Sequence, residues 1–394
     1  MNILLTDAES KHTLGITRLL GKYGYNVFAL AVKNRFCISK YSKYCTKVLY
    51  SCNYDDESLE SQYIKELREY VLTYNIDLII PVGYKNCSLI SKYSEELSKI
   101  TKTITVPYEK ILFASNKAKI LETAKKLNLP IPETYYPDSL EKIHDLAQKI
   151  SFPCVIKSRF EHGCNVVAFP SSAKELINYY ASMLKQYGFC NSKEYPMIQE
   201  YLCGDGYGFF ALYLNGKCTQ IFMHHRIREY PVKGGASSCC ESYYDPELLQ
   251  LGKSLLDYLE WNGVAMVEFK KDSSGKYRLM EINPKYWGSL DLALEAGALF
   301  PLLQAKYIQN EKIEYSEKYD RNLRYHWPFP GDWKHAIEKP ENFFNVLLDC
   351  INPKTKSNLW FHDDLKATIF ILLSAPYFAM KKLLRKVKKL FYEL

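Results

Sequence analysis

Apolar runs alternate with amphipathic stretches along the first part of this chain. Residues 2–6 are an apolar run ending at Asp7, residues 14–23 carry apolar positions at helical spacing and stop at Gly24, and residues 27–32 are apolar again. A strand–helix–strand opening of this kind predicts a parallel α/β unit. Residues 61–74 and 86–97 predict further helices, and residues 76–81 and 104–106 further strands, so residues 1–110 are expected to form a doubly wound α/β domain. Residues 110–127 read as one helix, closed by Leu129-Pro130-Ile131-Pro132, where the proline rings cannot continue it. Beyond that break the pattern predicts helices over 141–150, 173–187 and 246–259, and strands over 154–157, 166–169 and 197–202. Residues 209–214 and 218–225 flank Asn215-Gly216, a pair that accepts the positive φ of a tight hairpin turn. A second hairpin is expected around Ser273-Ser274-Gly275, and helices over 290–295 and 302–309 close the body. The expected architecture is α/β and α+β: an N-terminal doubly wound α/β domain (1–110), a second unit (111–315) and a C-terminal helical extension (316–394).

The bulk composition, 47% hydrophobic and 24% charged over 394 residues, is that of a soluble globular chain of two or three domains. The opening segment is too short and too soon acidic for a signal peptide, so a cytoplasmic protein is expected. Its twelve cysteines include no CxxC pair and are read as reduced thiols, Cys239-Cys240 among them as inert. Charge changes the picture more. Residues 365–394 hold seven Lys and Arg against Glu393 and so supply +6 of the net +8. A nearly neutral body argues against a nucleic-acid partner and points to a basic tail with its own. The turn after the first strand, Asp7-Ala8-Glu9-Ser10-Lys11-His12, lacks the GxGxxG of a dinucleotide site.

Candidate chemistry concentrates on strands. Strand side chains alternate faces, so Glu268 can lie beside Glu281 across the second hairpin, with Asn283 on the same face. Two carboxylates and an amide oxygen are hard ligands suited to Mg²⁺, which takes the rest of its shell from water and nucleotide phosphates. Lys157 ends a strand before a loop holding Gly163, a position that suits phosphate. Glu200, Tyr201 and Leu202 end a strand before Gly204-Asp205-Gly206, leaving backbone groups free beside an apolar slot. Alternation puts Arg226 and Arg228 on one face, where guanidinium groups clamp phosphate or carboxylate, ahead of a flexible Gly234-Gly235 loop. His224 and His225 lack a third zinc ligand at a suitable spacing and are read as structural.

The pattern Glu268…Glu281-Ile282-Asn283-Pro284 resembles the metal-binding end of ATP-grasp enzymes, and Glu200-Tyr201-Leu202-Cys203-Gly204-Asp205 resembles their adenine hinge. The ordered set Lys117, Lys157, Glu200, Asp205, Arg226, Glu268, Glu281, Asn283 looks like that superfamily over residues 1 to 310. Asn283-Pro284-Lys285-Tyr286-Trp287-Gly288-Ser289 is similar to the Asn-Pro-Arg-x-Trp-Gly-Ser form of ATP-grasp carboxylate–amine ligases, with Lys285 where Arg is usual; Lys keeps the charge but loses the bidentate fork. The resemblance implies ATP and Mg²⁺, with 111–196 as a lid lobe and 197–315 as a metal-binding lobe. Glu268, Glu281 and Asn283 would hold Mg²⁺; Lys117 and Lys157 would meet the phosphates. Glu200 and the backbone of Tyr201 and Leu202 would meet adenine, Asp205 the ribose, Arg226 the transferring phosphate and Lys285 a carboxylate. It also implies transfer of the γ-phosphoryl group to a carboxylate, then attack by an amine. The competing readings are a catalytically inactive ATP-grasp-like scaffold tethered at a membrane, and a nucleotide-sugar or NAD-linked enzyme using the N-terminal domain.

Beyond residue 315 an aromatic connector, Trp327 to Trp333, leads to an uncharged run of 14 residues, 367–380, short of the ~17–25 a spanning helix needs. Residues 381–394 then set paired basic residues among Leu, Val and Phe at helical spacing. That pattern suits the anionic inner face of a membrane; the other reading packs the tail on the body or on a second subunit as a homodimer. Membrane contact would fit lipid-linked as well as small-molecule carboxylate and amine substrates.

Overall fold

A computed structural model of the chain describes residues 1–160, 167–189 and 191–373. The expected flap tip with Gly163, and the tail 374–394, lie outside the described residues.

Strands β1 (Asn2–Leu5), β2 (Asn26–Val32), β3 (Lys47–Ser51), β4 (Leu78–Ile80) and β5 (Lys102–Thr103) form a parallel sheet in the order β3-β2-β1-β4-β5. Ile3, Leu4 and Leu5 are all buried, as a central strand covered on both faces requires. The edges differ from expectation. β3 escapes the apolar pattern because its outer positions are half-solvated. β5 falls just before the expected 104–106, whose Val106 instead accepts a hydrogen bond from Ser91 Oγ at 2.6 Å. The stretch expected as one helix over 86–97 forms Tyr84–Lys92 and Ser94–Leu97. That expected over 110–127 likewise breaks into Tyr108–Ser115 and Lys117–Lys126. Asn116 turns extended between them, and its side chain caps the second by accepting from Lys119 N at 3.2 Å.

A four-stranded sheet follows, β6 (Thr134–Tyr135), β7 (Cys154–Lys157), β8 (Val167–Ala168) and β9 (Met197–Glu200), in the order β6-β9-β7-β8. Ile143 and Leu176, from helices Leu140–Ala147 and Ala173–Tyr187, pack with Ile156 and Ile198 as its core. The largest sheet contains β10 (Gly206–Leu214), β11 (Lys217–Tyr230), β12 (Ala236–Ser242), β13 (Gly263–Lys271), β14 (Tyr277–Asn283), β15 (Arg324–His326) and β16 (Thr355–Ser357), ordered β14-β13-β10-β11-β12-β15-β16. Asn215 and Gly216 both take positive φ between β10 and β11, as the Asn-Gly pair predicts. Period-two alternation splits this sheet between two cores. Phe210, Leu212 and Phe222 join the N-terminal domain's Ile3 and Leu5 on one face. Phe209, Tyr213 and Val267 pack with Leu248 and Leu255 of helix Pro246–Tyr258 on the other. Each such side chain contributes roughly 1.5–3 kcal/mol of transfer free energy.

Two features were not legible in the pattern. β12 follows the Gly234-Gly235 loop where no strand is expected, and β15 and β16, from beyond residue 315, extend the sheet, so the extension is not purely helical. Arg226 and Arg228 also part company. Register shifts on both sides of Arg228 defeat simple alternation. Arg228 is buried between Asp332 (2.7 and 2.9 Å) and Asp349 (2.7 Å) and ties the extension to the sheet. Arg228→Ala removes the nearest cation from both buried carboxylates, leaving His326 Nδ1 at 3.1 Å beside Asp332 and Arg324 at 3.6 Å beside Asp349. Chemical denaturation should show a loss of about 3–5 kcal/mol; a loss under about 1 kcal/mol would deny that anchoring role.

Candidate active site

A cleft of about 400 Å³ opens between β7–β9 of the smaller sheet and β13–β14 of the larger, closed at one end by residues 233–237. Its floor is the β13–β14 hairpin. Glu268 and Glu281 are direct register partners there, and Asn283 lies on the same face, its Nδ2 donating to Glu281 Oε1 at 3.0 Å. Opposed like charges repel across a ladder, and cations from separate elements balance them. Lys117 Nζ reaches Glu281 Oε2 at 3.1 Å. Arg226 lies 3.1 Å from Glu268 and also holds Glu229 (2.9 Å), Ser237 Oγ (2.9 Å) and the Gly235 carbonyl (3.3 Å). Lys285 Nζ donates to Asn283 Oδ1 at 2.9 Å.

The two carboxylates shift in opposite directions. Burial raises Glu268, and the Glu281 charge adds to it against the pull of Arg226. Burial would raise Glu281 too, but Lys117 and Lys157 outweigh it and hold the group low. Lys157 lines the cleft, and loss of hydration brings its amine down to about 8. Among the described residues no cluster of three or more His, Cys, Asp or Glu side chains is arranged to hold a metal ion. A metal here rests on two carboxylates and the Asn283 oxygen, an all-oxygen set that fits Mg²⁺ sharing its shell with phosphate and water.

Val155, Phe169, Leu202 and Met280 give the cleft apolar lining alongside Glu200 and Tyr201, and Met266 lines it opposite Asn283. Glu200 N donates to the Glu133 carbonyl at 2.9 Å, and the Phe169 ring meets Tyr201 edge-on at 6.0 Å. Gly204 sits so close under the Lys271 carbonyl that a Cβ would collide with it, which sets the turn after Leu202. That turn carries Asp205 away. Its side chain is 67% exposed, is absent from the cleft lining, and lies 3.2 Å from His225 Nε2. Asp205 thus stands outside the cleft lining, while Lys157, Glu200, Tyr201, Leu202, Arg226, Glu268, Glu281, Asn283 and Lys285 share one cleft and Lys117 reaches it through Glu281. His224 is buried with Nδ1 3.0 Å from Ser289 Oγ. Lys270, Lys233 and Phe169 also line the cleft. Lys270 stands two residues after Glu268 and alternation could have found it; Phe169 ends the expected strand 166–169, one residue past β8, and Lys233 lies in a loop with no periodic signal.

Residues 193–328 match the family model described as "ATP-grasp in the biosynthetic pathway with Ter operon". Solved structures extend the likeness. Biotin carboxylase from Campylobacter jejuni, a β-γ-ATP complex, aligns with a TM-score of 0.64 at 14% identity, covering 82% of this chain and 74% of that one. The chain has the ATP-grasp fold. The biotin carboxylase domain of 2-oxoglutarate carboxylase from Hydrogenobacter thermophilus, a dimer with MgADP, ADP and bicarbonate, gives 0.60 at 16% identity over 82% and 72% of the two chains. L-amino acid ligase from Bacillus licheniformis gives 0.60 at 14% identity over 82% and 78%. In ATP-grasp terms the two sheets are the lobes that enclose the cleft, and helix Lys117–Lys126 is stitched to the smaller lobe through Lys117 N, which donates to the Arg159 carbonyl at 2.7 Å. A double-mutant cycle of Lys117→Met and Glu281→Gln, read by denaturation, should return a coupling of about 0.5–3 kcal/mol; additive effects would deny the ion pair.

Proposed function

We propose that this ATP-grasp protein is an ATP-dependent ligase that activates a carboxylate as an acyl phosphate and couples it to an amine. The observation that carries the reading is the Glu268–Glu281 pair, opposed in register and flanked by Lys117, Lys157 and Arg226 in a cleft with apolar lining. Adenine would enter between Phe169 and Met280, against Glu200 and the backbone of Tyr201 and Leu202. Lys117 and Lys157 would meet the phosphates. When bound by Glu268, Glu281 and Asn283, Mg²⁺ would draw off charge that develops on the phosphoryl oxygens. Arg226, fixed by Glu229, Ser237 and the Gly235 carbonyl, would stabilise the γ-phosphoryl group as the acceptor carboxylate oxygen attacks it and ADP leaves. Lys285 would orient that carboxylate. The amine then attacks the acyl carbon, phosphate departs, and the amine's proton is lost. Preorganised cations in a site walled by apolar side chains act more strongly than they would in water.

Supporting this reading are the shared fold with the amino acid ligase and the nucleotide complexes of the two carboxylases. The carboxylate and amine are small molecules or lipid-linked. Mg²⁺-dependent ADP release, assayed with amino acids, carboxylates and cell-extract fractions, should be stimulated by one acceptor and fall at least about a hundredfold in Glu281→Gln, in the range lost with one electrostatic stabiliser. Unchanged turnover in that variant would sink the assignment. Calorimetric titration with MgADP separates Lys157, which lines the cleft, from Asp205, which does not. Lys157→Ala should weaken binding roughly tenfold or more, the value of one charge-assisted contact. Asp205→Ala should bind within about twofold of wild type, and a larger loss would return Asp205 to the ribose.

A further inference from the structure

Two helices near the C-terminus bury one face and turn an apolar stripe outward. In helix Phe343–Ile351, Val346 and Asp349 face the body. Phe344, Leu348 and Ile351, spaced i, i+4, i+7, are 75%, 59% and 77% exposed. Ile337, on the preceding helix Trp333–Glu338, is as exposed as Ile351. Residues 365–373 repeat the arrangement: Ala367, Thr368 and Ile371 are buried, while Leu365, Ile369, Leu372 and Leu373 are exposed. Single exposed leucines are ordinary; two helical stripes are not. Nor are these frayed ends. Asp349 is held by buried Arg228 at 2.7 Å. The segment before residue 365 is clasped to the N-terminal domain by Arg18–Asp363 (2.6 Å), Lys22–Asp363 (2.8 Å) and Ser42 Oγ on Asp364 (2.5 Å). Tyr41 also stacks on Phe370.

What covers these stripes follows from charge. The final 14 residues carry six Lys and Arg against Glu393, with apolar residues at 383, 384, 387, 390, 391 and 394, a helical repeat. We propose that the C-terminal region docks the protein on an anionic membrane surface, the stripes meeting the acyl boundary and the basic tail the headgroups. A symmetric pairing of two copies through this region would bring two tails of like charge together, whereas anionic lipid attracts both. Contact is interfacial: the uncharged run 367–380 spans at most about 21 Å as a helix, against a hydrocarbon core of about 30 Å. No helix among the described residues is long and apolar enough to cross.

The full chain is mixed with vesicles of phosphatidylcholine and phosphatidylglycerol, or of phosphatidylcholine alone, and floated on a density gradient. Flotation with the mixed vesicles only, weakened by salt, is the expected result. Phe344→Asp with Leu348→Asp, and separately Ile369→Asp with Leu373→Asp, should each cut the bound fraction roughly tenfold or more, as should Lys381→Glu with Lys382→Glu. These side chains are at the surface or in the tail, so circular dichroism should stay at the wild-type value. The proposal is overturned if the chain does not float, if it floats equally with neutral vesicles, or if the stripe variants bind like wild type. It is also overturned if sedimentation shows a dimer that the stripe variants dissolve, which would assign the stripes to a second copy.

Discussion

Two carboxylates face each other across one pair of strands, and much of the architecture exists to make that tolerable. Glu268 and Glu281 sit at register partners on β13 and β14, a spacing of roughly 4.5–5.5 Å between Cβ atoms in which like charges repel. The neutralising cations come from elsewhere: Lys117 from the helix between the lobes, Lys157 from the smaller sheet, Arg226 from β11. Three separately folded elements must therefore converge on one hairpin. The opposite shifts of the two acids record which cations each one meets, with two lysines beside Glu281 and a shared guanidinium beside Glu268.

The same strand that supplies Arg226 also anchors the C-terminal extension through Arg228, and the two tasks are linked. Around Arg228, β11 shifts register, sending one guanidinium to the cleft and the other into a buried network with Asp332 and Asp349. The extension then returns to the cleft's end wall. His335 Nδ1 lies 2.7 Å from the Glu229 carbonyl, and Val232 N donates to Glu338 at 3.2 Å. The strand end and turn leading into residues 233–237, which close the cleft and hold Arg226 through Ser237 and Gly235, are thus held at Glu229 and Val232 by His335 and Glu338. Extension and site share a wall, so strain in one is felt by the other.

The parts legible in the sequence were those where a local rule operates alone. The Glu268–Glu281 pairing follows from period-two alternation about a recognisable turn, and the Asn215-Gly216 hairpin from dihedral preference. The parallel opening follows from unbroken apolar runs. The parts that escaped depend on partners distant in the chain. β12 is written in Ala236-Ser237-Ser238-Cys239-Cys240, small residues with no alternation, and is a strand because β11 and β15 flank it. Asp205 looks like a hinge carboxylate by spacing. Its direction is set by the contact of Gly204 with the Lys271 carbonyl, which no local pattern records. Arg228 leaves the face that alternation assigns it for the converse reason: alternation holds only while a strand keeps its register.

Charge in the cleft carries the argument one step further. Its lining holds Lys157, Arg226, Lys233, Lys270 and Lys285 against Glu200, Glu268 and Glu281, a positive surplus before Lys117 is counted. The chain as a whole draws most of its positive charge from the last thirty residues, so the cleft is a local concentration on a nearly neutral body. Walls of Val155, Phe169, Met266 and Met280 keep the dielectric low and focus that surplus on whatever enters. Two acidic oxygens at the floor of a basic cleft would be self-defeating if the ligand were a simple anion. They make sense for the proposed nucleotide arriving with a divalent cation, because the carboxylates would then receive the metal and the lysines the phosphates. The mixed sign of the lining is thus a physical reason to read the cleft as built for a metal–polyphosphate complex rather than for either component alone.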